Sequence, residues 1–199
     1  MNTGLFVLFE GIDRSGKTTQ TRLLVERLRA ERPDVPVVVE RYPDRSTRIG
    51  ALIDAYLTSA IELDDRAVHL LFAANRWECA RRVERALAAG AVVVCDRYAV
   101  SGAAFTAAKG IASLEWCRAA DIVFWLCLDA EDATKRGQYG DERYERVAFQ
   151  RRVGQFYHEL LNDHSTTHAV DASRSIDEIA GCIWDAVTQR LGVRESANE

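Results

Sequence analysis

The sequence predicts an α/β domain built on a doubly wound, five-stranded parallel sheet that carries helices on both faces. Short β-rich runs alternate along the chain with long amphipathic segments, and the connections between them are short. Several of these runs are unbroken series of apolar residues, as at 5–9 and 91–95. Such runs are typical of parallel strands that are covered on both faces. A length of 199 residues suits one domain of this kind with a substantial core.

The predicted elements follow one another in a regular alternation. Strands are expected at residues 5–9, 37–41, 91–95, 122–128 and, more weakly, 167–170. Helices are expected at 17–31, 47–58, 65–89, 100–108, 114–119, 130–136, 144–162 and 175–191. Asp64 or Asp65 suits the start of the longest helix, and Gly90 suits its end directly before the third strand. We expect one domain over residues 1–193, right-handed crossovers, and a frayed polar tail at 194–199.

Composition excludes several classes of protein. The formal net charge of −4 and the pI of about 5.7 argue against a nucleic-acid or membrane-surface coat, which needs a basic excess. The first apolar run has five residues, no basic residue before it and Glu10 behind it, so it predicts neither a signal peptide nor a membrane span. The five cysteines include no Cys-x-x-Cys pair, and neither they nor the four histidines show metal-ligand spacing. We therefore expect a soluble, cytoplasmic protein with reduced thiols.

A phosphate-binding loop follows the first predicted strand. Residues 11–18 read Gly-Ile-Asp-Arg-Ser-Gly-Lys-Thr and match the pattern G-x-x-x-x-G-K-[ST] completely. The glycines let backbone N–H groups turn towards phosphate oxygens, Lys17 can reach the β- and γ-phosphates, and the Thr18 hydroxyl can bind Mg²⁺. A turn that merely favours glycine does not explain Lys17 and Thr18. The loop therefore predicts a nucleoside triphosphate site.

Two residues after the third predicted strand belong beside this loop. The Asn-Lys-x-Asp string of guanine-specific switches is absent, and strand 91–95 is followed by Asp-Arg-Tyr instead of the Asp-Glu that motor ATPases usually carry. Open α/β sheets bind ligands at the carboxyl ends of their strands. We therefore expect Asp96 in a magnesium shell and Arg97 on a phosphate, with a surface ion pair as the alternative.

The longest predicted helix offers a second candidate site. Phe72 and Arg76 are four residues apart, so they lie on one helix face, one turn apart. A flat ring beside a guanidinium suits a nucleobase, which needs a stacking partner and donors to its carbonyl edge. From these residues alone, a core phenylalanine with a solvated arginine is the other interpretation.

Five strings in order carry a family resemblance that spans most of the chain. They are Phe-Glu-Gly-Ile-Asp-Arg-Ser-Gly-Lys-Thr-Thr-Gln at 9–20, Tyr-Pro-Asp-Arg-Ser-Thr at 42–47, His-Leu-Leu-Phe-Ala-Ala-Asn-Arg-Trp-Glu at 69–78, Asp-Arg-Tyr-Ala-Val-Ser-Gly at 96–102 and Glu-Arg-Tyr-Glu at 142–145. With them the chain resembles the thymidylate kinases of the eukaryotic and viral branch, within the P-loop nucleoside-monophosphate kinases. The resemblance implies transfer of the γ-phosphoryl of ATP to dTMP with Mg²⁺, giving dTDP and ADP for dTTP synthesis. It also implies a homodimer and a small lid at about 135–146.

The resemblance also assigns residues. In the acceptor pocket, Phe72 stacks on thymine, Arg76 donates to it, and Arg45 and Arg97 clamp the monophosphate. The other residues implied to bind dTMP are Asp13 (at the sugar 3′-hydroxyl), Tyr42, Ser101, Gly102, Phe105, Tyr144 and Gln150. The residues implied to bind ATP are Gly11, Asp13, Arg14, Ser15, Gly16, Lys17, Thr18, Thr19 and Arg136. The magnesium ligands are Thr18 and, through water, Asp96.

The implied catalytic residues are Lys17, Arg14 and Arg97, with Arg14 supplied by the phosphate loop and not by the lid. Two departures stand out: Tyr42 occupies a position where relatives often have Phe, and the connection before residue 122 lacks their proline. Three alternatives stay open. They are a kinase for another nucleoside monophosphate such as dUMP, a nucleoside kinase, and a nucleotide-binding switch without catalysis.

Overall fold

Five parallel strands form one sheet, as the sequence predicts. The structure is a computed structural model, which describes residues 4–111, 119–136, 139–162 and 164–196. The strands are β1 (Leu5–Glu10), β2 (Val37–Arg41), β3 (Val92–Asp96), β4 (Ile122–Cys127) and β5 (Thr167–Asp171). Their order in the sheet is β2-β3-β1-β4-β5, and every neighbouring pair is parallel. The loops that follow β1, β2 and β3 therefore meet at one edge of the sheet.

The described helices agree closely with the predicted ones. They are α1 (Lys17–Glu31), α2 (Arg48–Leu57), α3 (Asp65–Ala88), α4 (Ala99–Ala107), α5 (Ala130–Thr134), α6 (Val147–Leu161) and α7 (Ile176–Ser196). Asp64 is the N-cap of α3, and Gly90 follows its end with a φ of 80° that a residue with a side chain rarely adopts. Residues 114–118 of the helix predicted at 114–119 lie outside the described residues.

Two predicted helix boundaries are wrong. Helix α7 continues to Ser196 instead of ending at residue 191, so the tail that was predicted to fray from residue 194 is helical up to Ser196. Helix α6 begins at Val147 and not at residue 144, because Tyr144 and Glu145 belong to the turn before it. The Tyr144 carbonyl accepts a hydrogen bond from the Gln150 side chain at 2.9 Å, and the Glu145 carboxylate accepts from backbone N–H groups of that turn. These side-chain bonds replace the backbone bonds of a further helical turn.

Two apolar layers cover the two faces of the sheet. On one face, alternate strand residues such as Phe9 and Val94 pack against α1 and α7. On the other, residues such as Phe6 and Val93 pack against α3, α4 and α6. Because both faces are covered, β1 and β3 are buried along their whole length. This burial explains why their sequences lack the polar alternation of half-exposed strands.

Backbone and side-chain hydrogen bonds of Asp121 hold the connection before β4, which lacks a proline. The Asp121 carboxylate accepts from the Phe6 backbone N–H at 2.7 Å, and the Asp121 N–H donates to the Phe6 carbonyl at 2.9 Å. These bonds attach the residue before β4 to β1.

Two expectations about the whole chain are tested within the described residues. No helix there has the length and apolar character needed to cross a lipid bilayer. The four cysteines of the described part, Cys79, Cys95, Cys127 and Cys182, are free thiols.

Candidate active site

The phosphate loop connects β1 to α1 and buries its lysine. Gly11 and Gly16 have φ values of 145° and 99°, which favour glycine, so both positions require this residue type. The Lys17 side chain donates from Nζ to the Ile12 carbonyl at 2.6 Å and to Ser15 Oγ at 3.2 Å. Burial, and after it the nearby Arg97 guanidinium, lowers the pKa of Lys17 from 10.5 to about 7. The lysine therefore lacks a full counter-charge inside the protein, as expected for a group that meets an anionic ligand.

Thr18 and Asp96 face each other where β1 and β3 end. The Thr18 hydroxyl donates to Asp96 Oδ2 at 2.6 Å, and Asp96 is 3% exposed. A hydroxyl and a carboxylate oxygen are the hard donors that Mg²⁺ takes, and this ion usually keeps several waters and substrate phosphates as further ligands. No cluster of three or more potential metal-ligating side chains occurs in the described part of the chain. Thr18 and Asp96 can therefore supply two oxygen ligands, or ligands to its bound water, for a Mg²⁺ ion that also binds a nucleotide.

Arg97 is fixed by several acceptors. Its φ of 68° lies in the left-handed region, which is uncommon for a residue with a side chain. Its guanidinium forms an ion pair with Asp13 and donates to the Gly11 carbonyl at 3.0 Å and to Ser101 Oγ at 3.2 Å. Burial by itself lowers the pKa of Arg97, but the carboxylates of Asp13 and Asp96 raise it above the ordinary value, so the group is a permanent cation.

Gln150 lies behind the loop and does not line the cavity. It is fully buried, accepts from the Asp13 backbone N–H at 2.9 Å and donates to Asp13 Oδ2 at 2.5 Å. This pair of bonds fixes the side chain of Asp13. The structure therefore connects Gln150 to the predicted nucleotide site through Asp13.

Phe72 and Arg76 of α3 face the cavity together. Arg76 is 2% exposed, which excludes the solvated arginine of the alternative interpretation, and Phe72 is half-buried. Tyr42, at the end of β2, lines the same space. Arg45 lies near its rim and binds two carboxylates, Asp54 Oδ1 at 2.5 Å and Glu142 Oε1 at 2.6 Å.

Aromatic rings line the far side of this pocket. The Phe105 and Tyr144 ring centroids are 5.5 Å apart, and Cζ of Arg97 lies 5.4 Å from the Phe105 centroid. Ser101 and Gly102 of α4 complete this wall.

The lid segment contacts the phosphate loop on the donor side. Arg136 donates to the Arg14 carbonyl at 3.2 Å and to the Ala172 carbonyl at 2.5 Å. Glu145 forms an ion pair with the Arg14 side chain at 2.8 Å. Residues 137–138 of the predicted lid lie outside the described residues.

One cavity of about 1050 Å³ joins these parts. It is lined by every predicted site residue except Gly11, whose carbonyl binds Arg97, and Gln150. Its phosphate-loop end carries Lys17 and Thr18, and its other end carries Phe72 and Arg76. A nucleoside triphosphate and a second nucleotide therefore have one continuous space in which their phosphates meet.

Comparison with known proteins places the chain in a family. A family model described as thymidylate kinase matches residues 9–183. The thymidylate kinase of Dictyostelium discoideum is 46% identical over 184 residues, covering 89% of this chain and 82% of that protein. The human thymidylate kinase is 44% identical, covering 88% and 86%. A solved thymidylate kinase structure from Candida albicans has a TM-score of 0.84 at 36% identity and covers 94% of this chain and 92% of that one.

The chain belongs to the thymidylate kinase family. The predicted resemblance to this family and the predicted fold are therefore confirmed. Membership of the thymidylate kinase family implies an ATP-dependent nucleoside-monophosphate kinase. A viral relative, the putative thymidylate kinase 251L of Invertebrate iridescent virus 6, is 37% identical over 165 residues.

Three residues in or beside this site, Glu10, Tyr157 and Glu145, were not singled out from the sequence. Glu10 is fully buried at the end of β1, where it accepts from the Tyr98 and Ser101 N–H groups at 3.0 and 3.1 Å and from the Tyr157 hydroxyl at 3.0 Å. Glu10 and Glu145 stand inside the strings that carry the resemblance, so an unexplained carboxylate in such a string was the available signal.

Proposed function

We propose that the protein transfers the γ-phosphoryl group of ATP to dTMP, giving ADP and dTDP. The observation that carries this proposal is the single cavity, in which a phosphate loop faces two arginines and an aromatic pocket closed by Arg76. In this step the bond between the γ-phosphorus and the β–γ bridging oxygen breaks. A bond between the γ-phosphorus and a phosphate oxygen of dTMP forms. The acceptor is already an oxyanion, so no general base is needed.

On the donor side, the chain supplies binding groups and positive charge. Loop N–H groups surround the phosphates, with Gly11, Ser15, Gly16 and Thr19 shaping the loop. Lys17 and Arg14 neutralise charge on the γ-phosphoryl, where positive groups contribute most of the catalysis of a loose transition state. Thr18 and Asp96 would hold magnesium, which supplies further positive charge when bound.

A buried lysine with a depressed pKa suits this role. The pKa of Lys17 near 7 means that burial opposes its charged form, which binding of a polyphosphate anion would favour. The phosphate contact thus supplies the counter-charge that the folded protein does not provide by itself. Arg136, near the Ala172 carbonyl, is placed to lie along the adenine of the donor.

On the acceptor side, Arg45 and Arg97 hold the monophosphate in line with the donor. Both are cations with forked donors, which suit phosphate oxygens. Arg97 already has its guanidinium fixed by Asp13, whereas Arg45 has to exchange carboxylate contacts for the phosphate.

The pocket suits a thymine deoxynucleotide. Phe72 offers a face on which the base can stack, and Arg76 can donate hydrogen bonds to the carbonyl edge of the base. Asp13, whose side chain is fixed by Gln150, accepts from the 3′-hydroxyl of the sugar. The Phe105 ring crowds the place of a 2′-hydroxyl and so favours deoxyribose. The remaining lining residues that enclose the base and sugar are Tyr42, Ser101, Gly102 and Tyr144.

A substrate panel tests this proposal. Purified protein with ATP and Mg²⁺ is assayed for ADP release with dTMP, dUMP, dCMP, AMP and thymidine at equal concentrations. We expect dTMP to give the highest kcat/KM, with dTDP as the product. Equal turnover of dUMP or dCMP indicates broader acceptor use, and turnover of thymidine alone indicates a nucleoside kinase. Tight ATP binding with no diphosphate formed refutes catalysis and favours the switch.

The proposal extends to assembly and location. Leu70 and Trp77 are seven residues apart on one face of α3 and are 65% and 57% exposed, which supports a homodimer formed through this helix. Sedimentation equilibrium of wild type and of Trp77→Glu tests it, and a monomeric wild type refutes it. The free thiols support the reducing cytoplasm as its location. We retain the single domain over 1–193 with a lid at 135–146 as part of this proposal, but not the frayed tail from residue 194, because α7 continues to Ser196.

A further inference from the structure

A buried carboxylate joins the phosphate loop to the turn before α6. Oε1 of Glu145 accepts from Nε and Nη2 of Arg14 at 2.9 and 2.8 Å. Oε2 of the same carboxylate accepts from the backbone N–H groups of Gly140, Asp141 and Glu142 at 2.9, 3.0 and 3.3 Å. One side chain thus binds an arginine that the proposed mechanism uses and three successive residues of the lid segment.

The surroundings of Glu145 stabilise its side chain as a charged carboxylate. Glu145 is 8% exposed, and a buried carboxylate is costly unless its lone pairs find donors. Five donor groups meet it here, two of them on a guanidinium, and hydrogen bonds between charged groups are stronger than those between neutral ones. Arg14 itself has a φ of 61°, an uncommon backbone conformation for a residue with a side chain. Backbone and side chain of Arg14 are therefore both restrained.

We propose that Glu145 is a positioning residue for phosphoryl transfer, and the inference rests on the proposed function. It fixes the Arg14 guanidinium beside the phosphate loop and fixes lid residues 140–142 to the same group. An arginine side chain has many rotamers in water, and ordering it during the reaction costs conformational entropy. A carboxylate that orders it beforehand removes that cost from the transfer step.

Glutamine is the most informative replacement for Glu145, because its side chain has nearly the same shape but no charge. An amide has one oxygen and one NH₂ group, whereas both oxygens of Glu145 accept from donors. In Glu145→Gln, either the Arg14 guanidinium or the three lid N–H groups face the NH₂ group. The variant must therefore lose one of the two connections.

Steady-state kinetics with dTMP and ATP gives the first test. We expect Glu145→Gln to lower kcat by about 10²-fold, the loss typical of a misplaced catalytic group, with the KM for dTMP changed by less than about threefold. Glu131→Gln is the matched control, because Glu131 also pairs with an arginine, Arg151, but both partners are more than half exposed and lie outside the cavity. We expect this control to match wild type.

A double-mutant cycle with Arg14→Ala separates positioning from a merely structural role. If Glu145 acts through Arg14, then Glu145→Gln lowers kcat in the wild-type background but has little further effect in Arg14→Ala. If Glu145 only stabilises the lid, the substitution lowers kcat by the same factor in both backgrounds. That additive result overturns the inference, as does a Glu145→Gln enzyme with wild-type kcat.

A second variant, Glu145→Asp, tests the inference if the Glu145→Gln protein does not fold. Glu145→Asp keeps the charge but is one methylene shorter, so it cannot reach both the guanidinium and the lid N–H groups. We expect a folded Glu145→Asp protein, checked by its melting temperature, to lose at least tenfold in kcat, and full kcat overturns the inference. A wild type that forms no dTDP refutes the proposed function instead, which keeps the two failures distinct.

Discussion

Replacing Lys17 by methionine is expected to stabilise the nucleotide-free protein while abolishing phosphoryl transfer. Lys17 is 5% exposed, and burial together with Arg97 lowers the pKa of its ammonium group from 10.5 to about 7. Between these two pH values the unfolded chain, whose lysine is in water, binds more protons than the folded protein. The free energy of unfolding therefore rises with pH across this window, and the cost of burying Lys17 is fully present only below about pH 7.

The size of the effect follows from the same pKa values. Each pKa unit is worth about 1.4 kcal/mol, so a fall from 10.5 to about 7 costs about 5 kcal/mol at low pH and about 4 kcal/mol at pH 7. Methionine removes this cost but leaves the Ile12 carbonyl without its 2.6 Å donor, a loss of about 2 kcal/mol. We expect Lys17→Met to be more stable than wild type by about 2 kcal/mol at pH 7. At pH 9 the cost in wild type has fallen to about 2 kcal/mol, so the two proteins become nearly equal.

Urea unfolding at pH 7, 8 and 9 measures this difference. The titrations are followed by far-ultraviolet circular dichroism, with EDTA and without nucleotide, so that no bound anion or metal restores the charge. Lys135→Met is the control, because Lys135 is a lysine with a side chain 74% exposed, and we expect a stability change within about 0.5 kcal/mol. A Lys17→Met difference that stays constant from pH 7 to pH 9 would refute the reasoning, since it means that Lys17 is charged in the folded protein throughout.

Three other substitutions test the loop, the acceptor side and a buried phenol. Arg14→Ala is expected to lower kcat by about 10³-fold, and a near-normal rate in the ADP-release assay contradicts its catalytic role. In Gly50→Ala the new methyl group overlaps the Asp44 carbonyl and displaces the chain next to Arg45, the arginine proposed to clamp the monophosphate. The KM for dTMP should rise at least tenfold with the KM for ATP unchanged, whereas Gly181→Ala, which has open space, should leave both constants unchanged. The Tyr42 hydroxyl is buried without a hydrogen-bond partner among the described residues, so Tyr42→Phe should raise the free energy of unfolding by about 1 kcal/mol in urea titrations, and a decrease contradicts this.

The sheet shows how far local pattern determines a fold. Apolar runs predicted β1, β3 and β4 to within one residue, because strands that are covered on both faces are apolar at nearly every position. The edge strands β2 and β5 are more exposed, and the pattern that predicted β5 was accordingly weaker. The boundary of α6 was predicted three residues too early, because the turn before it is held by side chains whose partners are remote in sequence. Glu145 binds Arg14, 131 residues away, and Gln150 binds Asp13, 137 residues away.

The sequence by itself determined the fold class, the phosphate loop and the residues expected at the site, because these depend on apolar periodicity and on short strings of fixed spacing. Only the tertiary structure decided how those residues meet. In the tertiary structure Arg76 is buried, Gln150 binds Asp13 instead of lining the cavity, and the pKa of Lys17 is lowered. These properties depend on burial and on charges from distant parts of the chain, and no local pattern encodes which distant groups become neighbours.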